Sequence, residues 1–208
     1  MMSPSGVYLR KNAKQKYDAI LKAAYQLFLK NGYTGTSMDA VALEADVSKQ
    51  TVYSYFTNKD ILFCQMIEAQ CARHTPPETF LDNPKLKPED ALFRIGRGFL
   101  DLISSPRGLA ICRLVMSEAE QHPRITKLFY ETGPLRRQAM LARYLSRPDI
   151  KQGFAIDDVE AAVLNFFALV KSRHYLRLQL RIKPLPTKQE FDNHVRDAVK
   201  IFYKIYGR

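Results

Sequence analysis

From Lys14 onward the chain reads in helical turns. Tyr17, Ile20, Leu21, Ala24 and Phe28 fall at i, i+3, i+4, i+7 and i+11, on one face of a helix that ends at the capping pair Asn31-Gly32. Two short helical patterns follow. Thr36 or Ser37 caps the first, Asp39 complements the positive end of its dipole, and Val41, Ala42 and Ala45 form its apolar face. After a tight turn at Asp46-Val47, Ser48 caps the second. Val52 and Phe56 point inward there, and Tyr53, Ser54 and Tyr55 take the other faces. Two helices this short, joined by so tight a turn, describe a helix-turn-helix.

Asn58 caps a longer helix over 59–74, stopped by Thr75-Pro76-Pro77, and residues 75–88 read as a proline-rich polar connector. Pro88 opens a helix over about 89–104, Ser105-Pro106 another to about Gln121, and Pro123 a short one ending at Gly133-Pro134. Leu135 to Ser146 continues helical until Pro148. Asp157 and Glu160 form an Asp-x-x-Glu capping box before a helix over 158–182, and Thr187 and Glu190 a standard one before 188–206. Almost no stretch alternates with period two, so no sheet is expected. The predicted class is all-α, with about nine helices.

Composition narrows the function. At 208 residues, 46% hydrophobic and 25% charged, the chain suits a soluble globular protein that needs no disulfide or metal staple. Its net charge of +11 favours anionic partners. The charge is unevenly placed: residues 1–70 balance at +2 and residues 71–208 at +9, so a nucleic-acid surface in the first third must be local. Three cysteines, Cys64, Cys71 and Cys112, are too few and too odd for a disulfide framework. No apolar signal region opens the chain, and its longest apolar runs, such as 161–170, stop short of a membrane span. A cytoplasmic protein with no membrane partner is expected.

The same inventory excludes most chemistry. Cys64 and Cys71 lie on one helix face without a third ligand, and the four histidines lack metal-ligand spacing, so no metal and no cofactor are expected. There is no P-loop, no GxGxxG, no Gly-x-Ser-x-Gly elbow and no paired acid constellation, which argues against an enzyme. A helical lipid or ligand carrier is the other rival. It would not require hydroxyls and Lys49 on the outer edge of a helix-turn-helix.

The run Gly32-Tyr33, Thr36-Ser37-Met38, Val41-Ala42, Ala45, Val47-Ser48-Lys49-Gln50-Thr51, Tyr53, Tyr55-Phe56, Lys59 and Leu62-Phe63 resembles the DNA-binding head of the TetR family of bacterial transcriptional regulators. The stretches ICRLVMSEAEQHPRITKLFYETGP (111–134) and FDNHVRDAVKIFYKIYG (191–207) are similar to the AefR-like branch of that family. Asp46 departs from the pattern, which has glycine in the turn; Asp tolerates left-handed backbone, so a small stability cost is expected. The resemblance implies a basic arm (1–13), a helix-turn-helix domain (14–58), a connecting helix (59–74) and a helical-bundle regulatory domain (75–208) that dimerises and binds a small effector. A cytoplasmic repressor released from its operator by that effector is the function implied.

Roles for residues follow. The resemblance implies that Ser37, Thr51, Tyr53, Tyr55 and Lys59 touch DNA phosphates. The chemistry agrees, since hydroxyls and an ammonium on one exposed edge grip a backbone without reading sequence. The alternative is that the two tyrosines pack the head. Lys49, Gln50 and Ser54 reach base edges, Lys suiting guanine, Gln adenine and Ser either; a solvated or phosphate-bound Lys49 is the alternative. Arg10, Lys11, Lys14 and Lys16 either add nonspecific contacts or form a solvated arm. A homodimer implies a near-palindromic double-stranded operator.

Phe191, Val195, Ala198, Phe202 and Ile205 recur at four, three, four and three, a seam suited to a dimer interface. An effector pocket is expected between the connecting helix and helices five to eight, drawing on Met66, Arg94, Arg113, Phe167 and His174. Arg173, Arg177 and Arg181 form either an exposed stripe or a cationic wall. Arg94, Arg97, Arg113, Arg173 and Arg177 point to an anionic, partly apolar effector, unless they are exposed or pair with Glu118, Glu120 and Asp158.

Overall fold

The computed structural model describes residues 4–76, 82, 83 and 85–208, with side chains from Asn12 onward. Arg10 and Lys11 therefore lie outside the described side chains, and the middle of the predicted connector outside the described residues. In chain order the helices are α1 Pro4–Asn31, α2 Met38–Glu44, α3 Lys49–Tyr55, α4 Lys59–Ala72, α5 Pro88–Ser104, α6 Pro106–Ser117, α7 Pro123–Tyr130, α8 Arg136–Leu145, α9 Pro148–Lys151, α10 Val159–Lys171, α11 Tyr175–Gln179 and α12 Lys188–Tyr206. A π-helical turn, Glu131–Leu135, joins α7 to α8. Among the described residues extended pairing is confined to one bridge, Phe154 with Gly207. No described helix is long and apolar enough to cross a membrane.

The chain divides into two compact units, Met1–Ala69 with Ala110–Thr132, and Gln70–Leu109 with Gly133–Arg208. In the first, Ile20, Ala24 and Phe28 of α1 and Val41, Val52, Phe56, Leu62 and Phe63 are all buried, with the Phe28 ring edge-on to Phe63 (5.5 Å). Each buried phenylalanine contributes about 1.5–3 kcal/mol relative to exposure. Local signals act as expected. Gly32 adopts φ +74° and its N–H donates to the Phe28 carbonyl (3.0 Å), closing α1. Ser37 Oγ accepts the Ala40 N–H, Ser48 Oγ the Thr51 N–H (each 3.1 Å), and Asn58 Oδ1 the Ile61 N–H (2.9 Å). Asp46, in the turn, has φ +53°. The start of the first helix differs: α1 begins at Pro4 and not at Lys14, because proline is pre-set for a first helical turn. The helices expected over 59–74 and to about Gln121 end earlier, at Ala72 and Ser117.

The second unit is built on Leu92, Ile95, Leu100, Leu141, Phe154, Phe166, Val170, Val195 and Phe202, all buried. Gly96 lets α5 approach α10 and α12, since a Cβ there would stand 3.0 Å from Val195 Cγ1 and 3.2 Å from Phe166 Cζ. The capping box of α12 forms: Thr187 Oγ1 accepts the Glu190 N–H (3.2 Å), and Glu190 Oε2 the Thr187 N–H (2.7 Å). Asp158, and not Asp157, caps α10 by accepting the Ala161 N–H (3.0 Å). The predicted helix over 158–182 breaks after Lys171 and resumes as the short α11. Pro148 opens a one-turn helix instead of ending one. Gly133-Pro134 does not separate α7 from α8, because the wider π turn accommodates a residue without an N–H.

The predicted dimer seam needs correcting. Val195, Ala198 and Phe202 are fully buried in the core of their own unit, and Phe191 is half-buried against it. Ile205 alone of the five stays open, at 56% exposed. The periodicity showed an apolar face truly, but the body of the same chain covers it.

Candidate nucleic-acid interface

Burial of Val52 and Phe56 orients α3, and a helix that buries one face must present the opposite one. Lys49 with Tyr53, and Gln50 with Ser54, form two i, i+4 rows there, all four exposed, Tyr53 at 48%. Lys49 Nζ lies 2.5 Å from Asp39 Oδ2, but both side chains are more than half exposed. Such a pair is worth little in water, so the ammonium exchanges this carboxylate for a nucleic-acid acceptor at small cost. Ser54 Oγ donates to the Thr51 carbonyl (2.7 Å), and Thr51 Oγ1 lies 2.8 Å from the capping Ser48 Oγ.

The two tyrosines part company. Tyr53 projects from the helix, whereas Tyr55 is half-buried, with its ring edge-on to Tyr17 (5.9 Å) and its hydroxyl donating to the Ala13 carbonyl (3.0 Å). Lys59 is equally committed to the head. Its ammonium donates to the carbonyls of Tyr33 (2.8 Å) and Thr36 (2.9 Å) and rests 4.3 Å above the Tyr33 ring. Burial pushes its pKa down, against the pull of Asp60 and Glu118. Ser37 is exposed, with its oxygen engaged in the α2 cap. Lys14 and Lys16 are exposed on α1.

A polar cluster behind this edge escaped the sequence reading. Glu118 Oε1 accepts the Tyr33 N–H (3.1 Å), and Thr34 Oγ1 lies 2.8 Å from His122 Nε2. The Tyr33 hydroxyl donates to Asp60, which also receives Arg124. Burial, reinforced by the bond to Asp60, pushes the Tyr33 pKa up. These contacts tie residues 118–124 to the loop between α1 and α2. No local pattern could announce them, since the partners stand 85 or more residues apart for Tyr33–Glu118 and Thr34–His122.

The predicted effector residues fall in both units. Met66, buried, and Arg113 belong to the first unit, and Arg94, Phe167 and His174 to the second. Phe167 packs edge-on against Phe99 (4.8 Å). His174 sits between Phe191 (5.3 Å) and His194 (4.9 Å), and Arg94 is exposed beside Arg97 and His74. Arg173, Arg177 and Arg181 are exposed, and Glu118 is taken by the loop after α1. Among the described residues no group of three or more His, Cys, Asp or Glu converges on a metal position.

A family model for bacterial regulatory proteins of the tetR family matches residues 20–66, and one for the C-terminal domain of AefR-like transcriptional repressors matches residues 90–208. The chain belongs to the TetR family. Its fold is similar to that of the flavonoid-responsive regulator FrrA, with 31% identity and a TM-score of 0.72 over 93% of this chain and 98% of FrrA. A TetR regulator from Agrobacterium tumefaciens shares the fold at 23% identity and a TM-score of 0.71, over 92% of this chain and 94% of that one. The HTH-type transcriptional repressor NicS of Pseudomonas putida is 34% identical over 80 residues, 38% of either chain; the alignment thus spans well under half of that relative. In the TetR-family frame α2 and α3 are the helix-turn-helix, with Asp46 in the place of the turn glycine.

Proposed function

We propose that this TetR-family protein is a cytoplasmic, sequence-specific repressor that binds a near-palindromic operator as a homodimer and releases it when a small effector binds. One observation carries the reading: α3 is pinned by Val52 and Phe56 so that Lys49, Gln50, Tyr53 and Ser54 form one exposed face. Side chains of these types on the outer face of a short helix suit the major groove. Lys49, Gln50 and Ser54 read base edges. Tyr53 grips phosphate with Ser37 and Thr51, while Tyr55 and Lys59 act from half-buried positions that fix the height of α3 over the backbone.

Two further observations support the quaternary and ligand parts. Helices α10 and α12 pack side by side and leave Leu164 (46%), Ile201 (42%) and Ile205 (56%) open to solvent, apolar surface that a symmetry mate covers. The similarity to a flavonoid-responsive regulator over nearly all of its length supports a ligand-controlled one here, and the similarity to NicS supports repression.

Selection from a random-sequence duplex library tests the proposal. A two-fold symmetric site should emerge, and with four phosphate contacts per head the log–log salt slope of binding should be about −7. Failure to enrich any preferred duplex would overturn it.

A further inference from the structure

Arg137 is buried where a cation is out of place. On α8 it heads the row Arg137, Met140, Leu141, Tyr144 and Leu145, all buried, and it is itself 7% exposed. Its Nη2 donates to Thr75 Oγ1 (3.0 Å) and, at 3.5 Å, to the Cys71 carbonyl. Nη1 is buried and has no acceptor. Among the described residues no carboxylate pairs with this guanidinium. Burial pulls its pKa down and the neighbouring Cys71 opposes that shift; an arginine stays charged at neutral pH regardless. A desolvated charge with no counter-charge among the described residues is a costly arrangement that a purely structural position does not need.

The surroundings suit a ligand. The guanidinium lies 6.0 Å from the Phe99 ring, which packs on Phe167. Thr75, the partner of Nη2, also lines a groove of about 370 Å³ with His74, Phe93, Arg94 and Gly98, within the size range of small-molecule sites. Arg137 lies close enough to lower the pKa of His74, whose shift is due first to burial. The negative charge at this groove, Asp101, is already paired with Arg97.

We propose that Arg137 anchors the acid group of the effector, an aryl carboxylate whose carboxylate binds Nη1 while its ring lies against Phe93 in the groove that Thr75 lines. This rests on the ligand-responsive reading above. A carboxylate is satisfied by few donors, which matches the unpartnered Nη1; the Thr75 hydroxyl donates to the Cys71 carbonyl (2.8 Å) and holds Nη2 in place.

Calorimetry on the full-length protein, with 2-naphthoate and its neutral isostere 2-naphthamide as probes, tests the anchor. The wild type should bind the acid at least about tenfold more tightly than the amide, the size of one charge-assisted hydrogen bond. Arg137→Met should abolish that preference while keeping or raising the melting temperature, and Arg137→Lys should keep part of it. If the Met variant does not fold, the Lys variant and the acid–amide ratio of the wild type decide. Equal binding of acid and amide, an undiminished preference in the folded Met variant, or no heat from either probe would overturn the proposal. Operator release separates it from the broader reading. Amide binding that releases DNA leaves ligand control standing without the anchor, whereas acid-selective binding that never releases DNA leaves the anchor standing without ligand control.

Discussion

The ammonium of Lys59 lies 2.8 Å from the carbonyl oxygen of Tyr33 and 4.3 Å above the ring of the same residue. One side chain thereby holds the loop entering α2, and the proposed operator complex gives it a second role at the DNA backbone. The two roles separate experimentally. Lys59→Met should lower stability by about 2 kcal/mol in denaturant unfolding, through lost hydrogen bonds from a charged donor. If the ammonium also meets phosphate in each head, the salt slope of operator binding should fall in magnitude by about 2. A destabilised variant with an unchanged slope assigns Lys59 to positioning alone.

Tyr53 and Gln50 should fail differently. Tyr53→Phe removes one exposed hydroxyl and should weaken binding about equally to the operator and to unrelated duplexes. Gln50→Ala should change preference at one or two base pairs by roughly 1–3 kcal/mol. Mobility shifts on a panel of single-substitution operators read both, and a uniform loss for Gln50→Ala would remove it from the base-reading set.

Asp46 holds φ +53° in the turn between α2 and α3. Left-handed backbone costs an L-residue roughly 1–2 kcal/mol, less for Asp, and glycine pays none of that steric cost. Asp46→Gly should leave stability equal or up to about 1 kcal/mol higher, and Asp46→Val should lower it. Thermal melts of the two variants check the order.

His174 is buried with both ring nitrogens unpartnered, beside His194, Arg173 and Arg177, with Glu190 the opposing charge. Burial first, then the His194 and Arg173 charges, pushes its pKa down. The unfolded chain therefore takes up a proton at a higher pH than the folded one. Stability should be full above about pH 6.5 and fall as the pH drops toward the depressed folded value. His174→Phe should flatten that acid-side loss in melts between about pH 7 and pH 5, and an unchanged slope would exclude His174 as a source.

The open apolar residues should control assembly. Ile205→Asp with Leu164→Asp should give folded monomers that lose operator affinity, whereas Val195→Asp should unfold the protein, since it buries a charge in the core. Sedimentation and circular dichroism distinguish these results. An intact dimer in the double variant would move the interface elsewhere.

What could be seen in the residue order was whatever depends on near neighbours. The apolar stripe of α1, the caps Ser37, Ser48, Asn58 and Thr187, and the left-handed Asp46 are satisfied within a turn or two of chain, and each appears where local chemistry puts it. The outward face of α3 was equally legible, because burying Val52 and Phe56 leaves Lys49 and Gln50 no other direction. Periodicity shows that a face is apolar and not what covers it, so Val195, Ala198 and Phe202 read as a dimer seam until the protein's own α5 and α10 filled the space. The same limit hid Arg137. Its place on the apolar stripe of α8 was visible in the spacing to Met140 and Leu141, but its surroundings are supplied by Thr75, Cys71 and Phe99, which distant stretches of chain bring together.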